Sequence, residues 1–63
     1  MSFRAIKVGR RYEVSVLGIT FPATVRKRIA GHNGHNLVHI EPDNPSRITY
    51  RFVTPRRIVK ELA

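Results

Sequence analysis

Sixty-three residues carry twelve Lys plus Arg against four Asp plus Glu, a net charge of +8, and include no cysteine. A chain of this length buries only about 60% of its unfolded surface, which gives one thin core and no deep catalytic cleft, while the lack of cysteine excludes disulfide staples and thiolate metal sites. Apolar runs of two or three residues and an N-terminal Met1-Ser2-Phe3-Arg4-Ala5 without an apolar centre leave no membrane span or secretory signal to expect, so the reading is a cytoplasmic domain, nucleoid-associated in a prokaryote.

Thirteen of the twenty-six apolar residues are Val or Ile and only three are Leu, which favours strands because branching at Cβ is better accommodated in a sheet. Residues 1–7 read as a short lead-in, with Phe3 packing on the domain, and 8–63 as the domain itself. Val8-Gly9 bends the chain into a first strand from Arg11 to Val16, whose alternation puts Tyr12, Val14 and Val16 on one face. Leu17-Gly18 is a turn. The longest strand candidate runs from Ile19 to Ile29. Ile19, Phe21, Ala23, Val25 and Ile29 share the inward parity, and Thr20, Thr24, Arg26 and Arg28 face out. Pro22, lacking an amide proton, belongs at an edge, bulge or bend. Lys27 breaks the pattern, as if the strand leaves the core there.

Gly31-His32-Asn33-Gly34 is turn chemistry. A third strand over roughly Asn36–Glu41 turns Val38 and Ile40 inward. Pro42-Asp43-Asn44-Pro45-Ser46 is a loop, and Ile48 to Phe52 is a fourth strand with Ile48, Tyr50 and Phe52 inward. Thr54-Pro55-Arg56-Arg57-Ile58 reads as one helical turn with Thr54 as its cap and Pro55 at its first position. Val59-Lys60-Glu61-Leu62 is long enough for a fifth strand, with a short C-terminal helix as the competing assignment. Five short strands with tight turns predict an all-β, highly bent small barrel with a single helical turn before the last strand.

The run from Val8-Gly9 through Tyr12-Glu13-Val14 and Gly18-Ile19-Thr20-Phe21-Pro22-Ala23-Thr24-Val25 resembles the opening hairpin of Tudor-like domains in the SH3-like barrel superfamily. The ending from Ile48 to Leu62, with its helical turn, resembles the way such barrels close. The resemblance implies a five-stranded SH3-like barrel. Tudor readers that hold methylated Lys or Arg use three or four converging rings. Here the position before the second-strand aromatic is Thr20, the chain has five rings and no Trp, and most of those rings fall on core parities. Relatives of this barrel that bind DNA or RNA fit the charge better.

Nine of the twelve cations are Arg, whose planar fork suits phosphate oxygens. The parity of the strands points Arg11, Arg26, Arg28 and Arg51 away from the core. Lys27, Arg56 and Arg57, with Lys7 and Arg10, extend the positive field. Glu41, Asp43 and Glu61 are expected away from it, leaving Glu13 as the one acid within a basic sheet face. Arg11, Arg26, Lys27, Arg28, Arg51, Arg56 and Arg57 are therefore the candidate nucleic-acid contacts.

Double-stranded DNA, held by its backbone, is the favoured partner, in an accessory, regulatory or DNA-packaging role. The alternatives are RNA or the ribosome, or an adaptor role in which the charge docks on an acidic protein. The few spare rings argue against a single-strand stacking platform. His32, His35 and His39 surround a turn without a carboxylate or thiol to complete a zinc site. No serine, histidine and acid come together with a pocket to make a triad. No catalytic residue, metal or cofactor is assigned, and a monomer or a homodimer paired through a strand edge is expected.

Overall fold

The computed structural model describes all 63 residues. Its strands are β1 (Arg11–Val16), β2 (Ile19–His32), β3 (His35–Pro42), β4 (Phe52–Val53) and β5 (Ile58–Glu61), with single 3-10 turns η1 (Phe3–Ala5) and η2 (Pro55–Arg57). They form one antiparallel sheet in the order β4-β3-β2-β1-β5. The two edge strands are joined by η2, which touches both β1 and β3, so the sheet curls around a single core. The all-β, barrel-like fold with one helical turn before the last strand is as expected. No helix is long and apolar enough to cross a membrane.

The core is the set of inward parities. Tyr12, Val14 and Val16 of β1 pack with Phe21, Ala23 and Val25 of β2, Val38 and Ile40 of β3, Val53 and Ile58. Ile6, from the lead-in, is also wholly buried. Its place is secured locally, because the Lys7 amide donates to the buried Tyr12 hydroxyl at 2.8 Å. Phe3, Ile48 and Tyr50 pack against the core from its margins, and the Tyr50 ring stacks on Phe21 with centroids 6.1 Å apart.

A straight strand of fourteen residues would run about 45 Å, whereas the longest dimension of the molecule is 29 Å. β2 therefore bends. Its register to β3 pairs Val25 with Ile40 but Lys27 with His39, which leaves Arg26 as the extra residue of a bulge. A second register shift lies between Ile29 and His32. There Gly31, at φ +71, takes a backbone that side chains rarely adopt, and its amide donates to Asn36 Oδ1. The hairpin turn itself is only Asn33-Gly34, both at positive φ, so the strand extends further than the turn chemistry from Gly31 onward suggested.

Pro22 lies inside β2 and not at an edge. Val25 exchanges hydrogen bonds with Gly9 and Arg10, so the bonded positions toward β1 are the odd residues and Pro22 owes β1 no amide. On its other side β3 ends opposite Ala23, and the Pro22 carbonyl accepts from the Asp43 amide at 3.1 Å.

The fourth strand departs most from expectation. It is two residues long, and residues 48–51 are not strand. β4 pairs Val53 with the inward Val38 and Phe52 with His39. Partners across a ladder share a face, so Val53 is the core residue and Phe52 faces outward, 55% exposed. β5 carries the same kind of shift, with Val14 opposite Ile58 and Glu13 opposite Lys60. That leaves Val59 unmatched and exposed while Ile58 fills the core.

Candidate nucleic-acid interface

Three of the arginines on the outer surface are matched to carboxylates. Arg26 donates to Glu41 at 3.0 Å and Arg10 to Glu61 at 3.0 Å, and Arg11 pairs with Asp43. The register brings the acids near, because Arg11, Thr24 and Glu41 line up across β1, β2 and β3, Asp43 follows the end of β3, and Glu61 of β5 lies opposite Tyr12. Acids expected away from the basic strands are thus brought beside them by pairings remote in sequence. The hydrogen bond from Arg26, and then its charge, hold the Glu41 carboxyl below the usual carboxylate range, with smaller help from Arg51 and His39. Such exposed pairs add little stability. Their consequence is electrostatic, since Arg11 and Arg26 do not form the uninterrupted positive sheet face anticipated for them.

Arg28, which stays exposed, and Arg51, which is half-buried, are both engaged by backbone carbonyls. Beyond the bulge at Arg26 the parity of β2 reverses, and Arg28 falls opposite the inward Val38. From there its guanidinium donates to the Phe3 carbonyl at 3.0 Å and lies 5.1 Å from the Phe3 ring centroid, a cation–π contact that holds η1 against the barrel. Arg51 is half-buried. It donates to the carbonyls of Ile48, Tyr50 and Pro45 at 2.8, 3.0 and 3.1 Å, so its fork is engaged in shaping the loop between β3 and β4. Lys27 moves the other way: the bulge carries it to the outer face, opposite His39.

Arg56 and Arg57 remain exposed on η2. All three ion pairs of the chain belong to other arginines. Thr54 stands at the cap position of η2 as expected, although its side chain makes no capping hydrogen bond. Across from η2 lies the tip of the β2–β3 hairpin. Gly34, His35 and Asn36 on that side and Thr54, Pro55, Arg56 and Arg57 on the other line an open recess of about 510 Å³. Its walls supply two guanidinium groups, an imidazole and an amide, and no acid. Guanidinium, imidazole and amide groups are hydrogen-bond donors of the kind that suit an anion.

On the outer face, Ile29, His32, Leu37 and Phe52 line a second recess of about 320 Å³, and the His39 ring stacks on Phe52 at 4.9 Å with a 19° interplanar angle. Neither recess was legible in the residue order. Each is assembled from the hairpin arm and from segments roughly twenty residues further on, and no local pattern signals that meeting. A run of three cations, Arg26-Lys27-Arg28, was the one clue to the bulge, since a strict period of two would have buried Lys27.

The seven candidate residues therefore do not converge on one face. Arg56 and Arg57 share a recess, Lys27 lies on the outer face of the hairpin arm, Arg11 and Arg26 are carboxylate-paired, and Arg28 and Arg51 hold backbone carbonyls. No protein family, curated protein or solved structure matches this chain.

Proposed function

We propose that this chain is a small basic nucleic-acid-binding protein that takes DNA in the first place, through its phosphate backbone, in an accessory, regulatory or packaging role. The observation that carries this reading is the position of the uncompensated charge. Twelve cations less the three in ion pairs leave nine without a carboxylate, and two of them, Arg56 and Arg57, flank an open recess with His35. Holding like charges together in this way is unfavourable for the isolated protein and becomes favourable when phosphates enter. Arginine forks make paired hydrogen bonds to phosphate oxygens. The centre of the binding surface accordingly shifts from the sheet face to η2 and the hairpin tip, with Lys27 as a flanking contact.

Fluorescence titration of labelled DNA across a salt series tests this. The logarithm of the affinity should fall linearly with the logarithm of salt concentration. The joint Arg56→Ala, Arg57→Ala variant should weaken binding to every sequence and reduce the slope by about 2, near 0.9 per phosphate lost. Affinity that ignores salt overturns the reading. Equal affinity for polyglutamate and DNA would assign the charge to an acidic protein partner instead.

A further inference from the structure

Five aromatic side chains are present, and Phe52 alone among them is exposed. We propose that Phe52, backed by His39, stacks an unpaired nucleobase, so that the nucleic acid crossing the β3–β4 edge is single-stranded or locally opened there. This deepens the phosphate-binding reading and rests on it.

Four observations support the platform. First, the ring is held in place. Phe52 belongs to the β3–β4 ladder opposite His39, and the near-parallel imidazole fixes one of its faces, so little freedom is lost when a flat partner covers what remains. Second, the floor beside it is apolar but small, formed by the half-buried Ile29 and Leu37. That extent suits one base and is far below an ordinary protein interface of about 800 Å² per partner. Third, the charged neighbours are cationic or imidazole: Lys27 opposite His39, and His32 in the recess wall. Glu41, the acid on the same face of β3, is engaged by Arg26.

Fourth, the residues of the two recesses are close in the chain. β3 runs from His35 and Asn36 on the cationic recess to Leu37 on the apolar one, and Phe52 is separated from the residues of η2 only by Val53 and Thr54. A strand whose phosphates meet Arg56 and Arg57 would round the β3–β4 edge to bring a base onto the outward Phe52. A closed duplex hides the faces of its bases, which is why the base must be unpaired. Stacking on an aromatic ring is tolerant of sequence because every base has a π face.

The test uses the whole chain with oligonucleotides of about twelve residues, a size within the usual single-strand site range: oligo-dT, the same backbone without bases, and a duplex. At low salt, oligo-dT should bind the wild type on the order of tenfold more tightly than the abasic strand. Phe52→Ala should remove that difference while leaving abasic binding unchanged. Phe52→Trp should keep it and, as the only Trp in the chain, should lose fluorescence on adding oligo-dT but not on adding the abasic strand. Equal affinity of the wild type for oligo-dT and abasic strand overturns the platform and leaves the backbone reading intact. Absence of binding to all three probes overturns both. A Phe52→Ala change that dissolves a dimer without altering oligo-dT affinity would overturn the platform by assigning the patch to contact between copies of the chain.

Discussion

At the scale of single residues, arginine does three different jobs here, and neighbours decide which. Arg51 donates three hydrogen bonds to loop carbonyls, so Arg51→Ala should cost about 1.5–3 kcal/mol in denaturant unfolding, the range for hydrogen bonds to a charged group. Arg51→Lys should restore only part of that loss, because an ammonium lacks the planar fork. Arg56→Ala, by contrast, should leave the unfolding midpoint within experimental scatter. Arg26 acts on Glu41. Removing its guanidinium should raise the Glu41 pKa toward the ordinary carboxylate range, measurable by NMR titration of the side-chain carboxyl. The sign follows from linkage. A folded-state pKa held below the unfolded value contributes stability at neutral pH that fades as pH falls through the carboxylate range. In Arg26→Ala that acid dependence should be shallower.

At the scale of elements, alternation identified β1 and the first half of β2 well, because Tyr12, Val14, Val16, Phe21 and Ala23 lie in an unbroken ladder. The pattern failed where a residue was inserted or a strand was cut short. The bulge at Arg26 carries Lys27 to the outer face and sets the still-exposed Arg28 opposite the inward Val38, and residues 48–51, where Arg51 holds the loop carbonyls, are not strand. Phe52 therefore starts a new parity. A period of two carries no information past such a break. Ile6 is another such case: one apolar residue in a polar lead-in has no periodicity, yet it is 0% exposed. Ile6→Ala should destabilise the protein by about 2–5 kcal/mol in thermal or denaturant melts, a large share for a domain this small. A substitution at Val8, which is exposed, should be close to neutral.

At the scale of the whole molecule, the net charge of +8 repels copies of the chain and draws polyanions regardless of where each cation sits. The arrangement then distinguishes a general attraction from a located one. With Arg10, Arg11 and Arg26 neutralised by acids and Arg56 and Arg57 left free, binding should depend on η2 far more than on the face of β1 and β2. Joint replacement of Arg11 and Arg26 by Ala should therefore weaken DNA affinity less than joint replacement of Arg56 and Arg57, measured side by side at one salt concentration. Equal losses would return the interface to the sheet face.

Residue order was enough for the fold class and for the net charge, because strand alternation and charge are local or additive properties that need no partner to be known. The charge balance of each face, the exposure of Phe52 and the meeting of the hairpin tip with η2 came from pairings remote in sequence, with the ion pairs alone spanning 15, 32 and 51 positions. Those pairings depend on register, and one extra residue in a ladder moves every side chain beyond it to the opposite face.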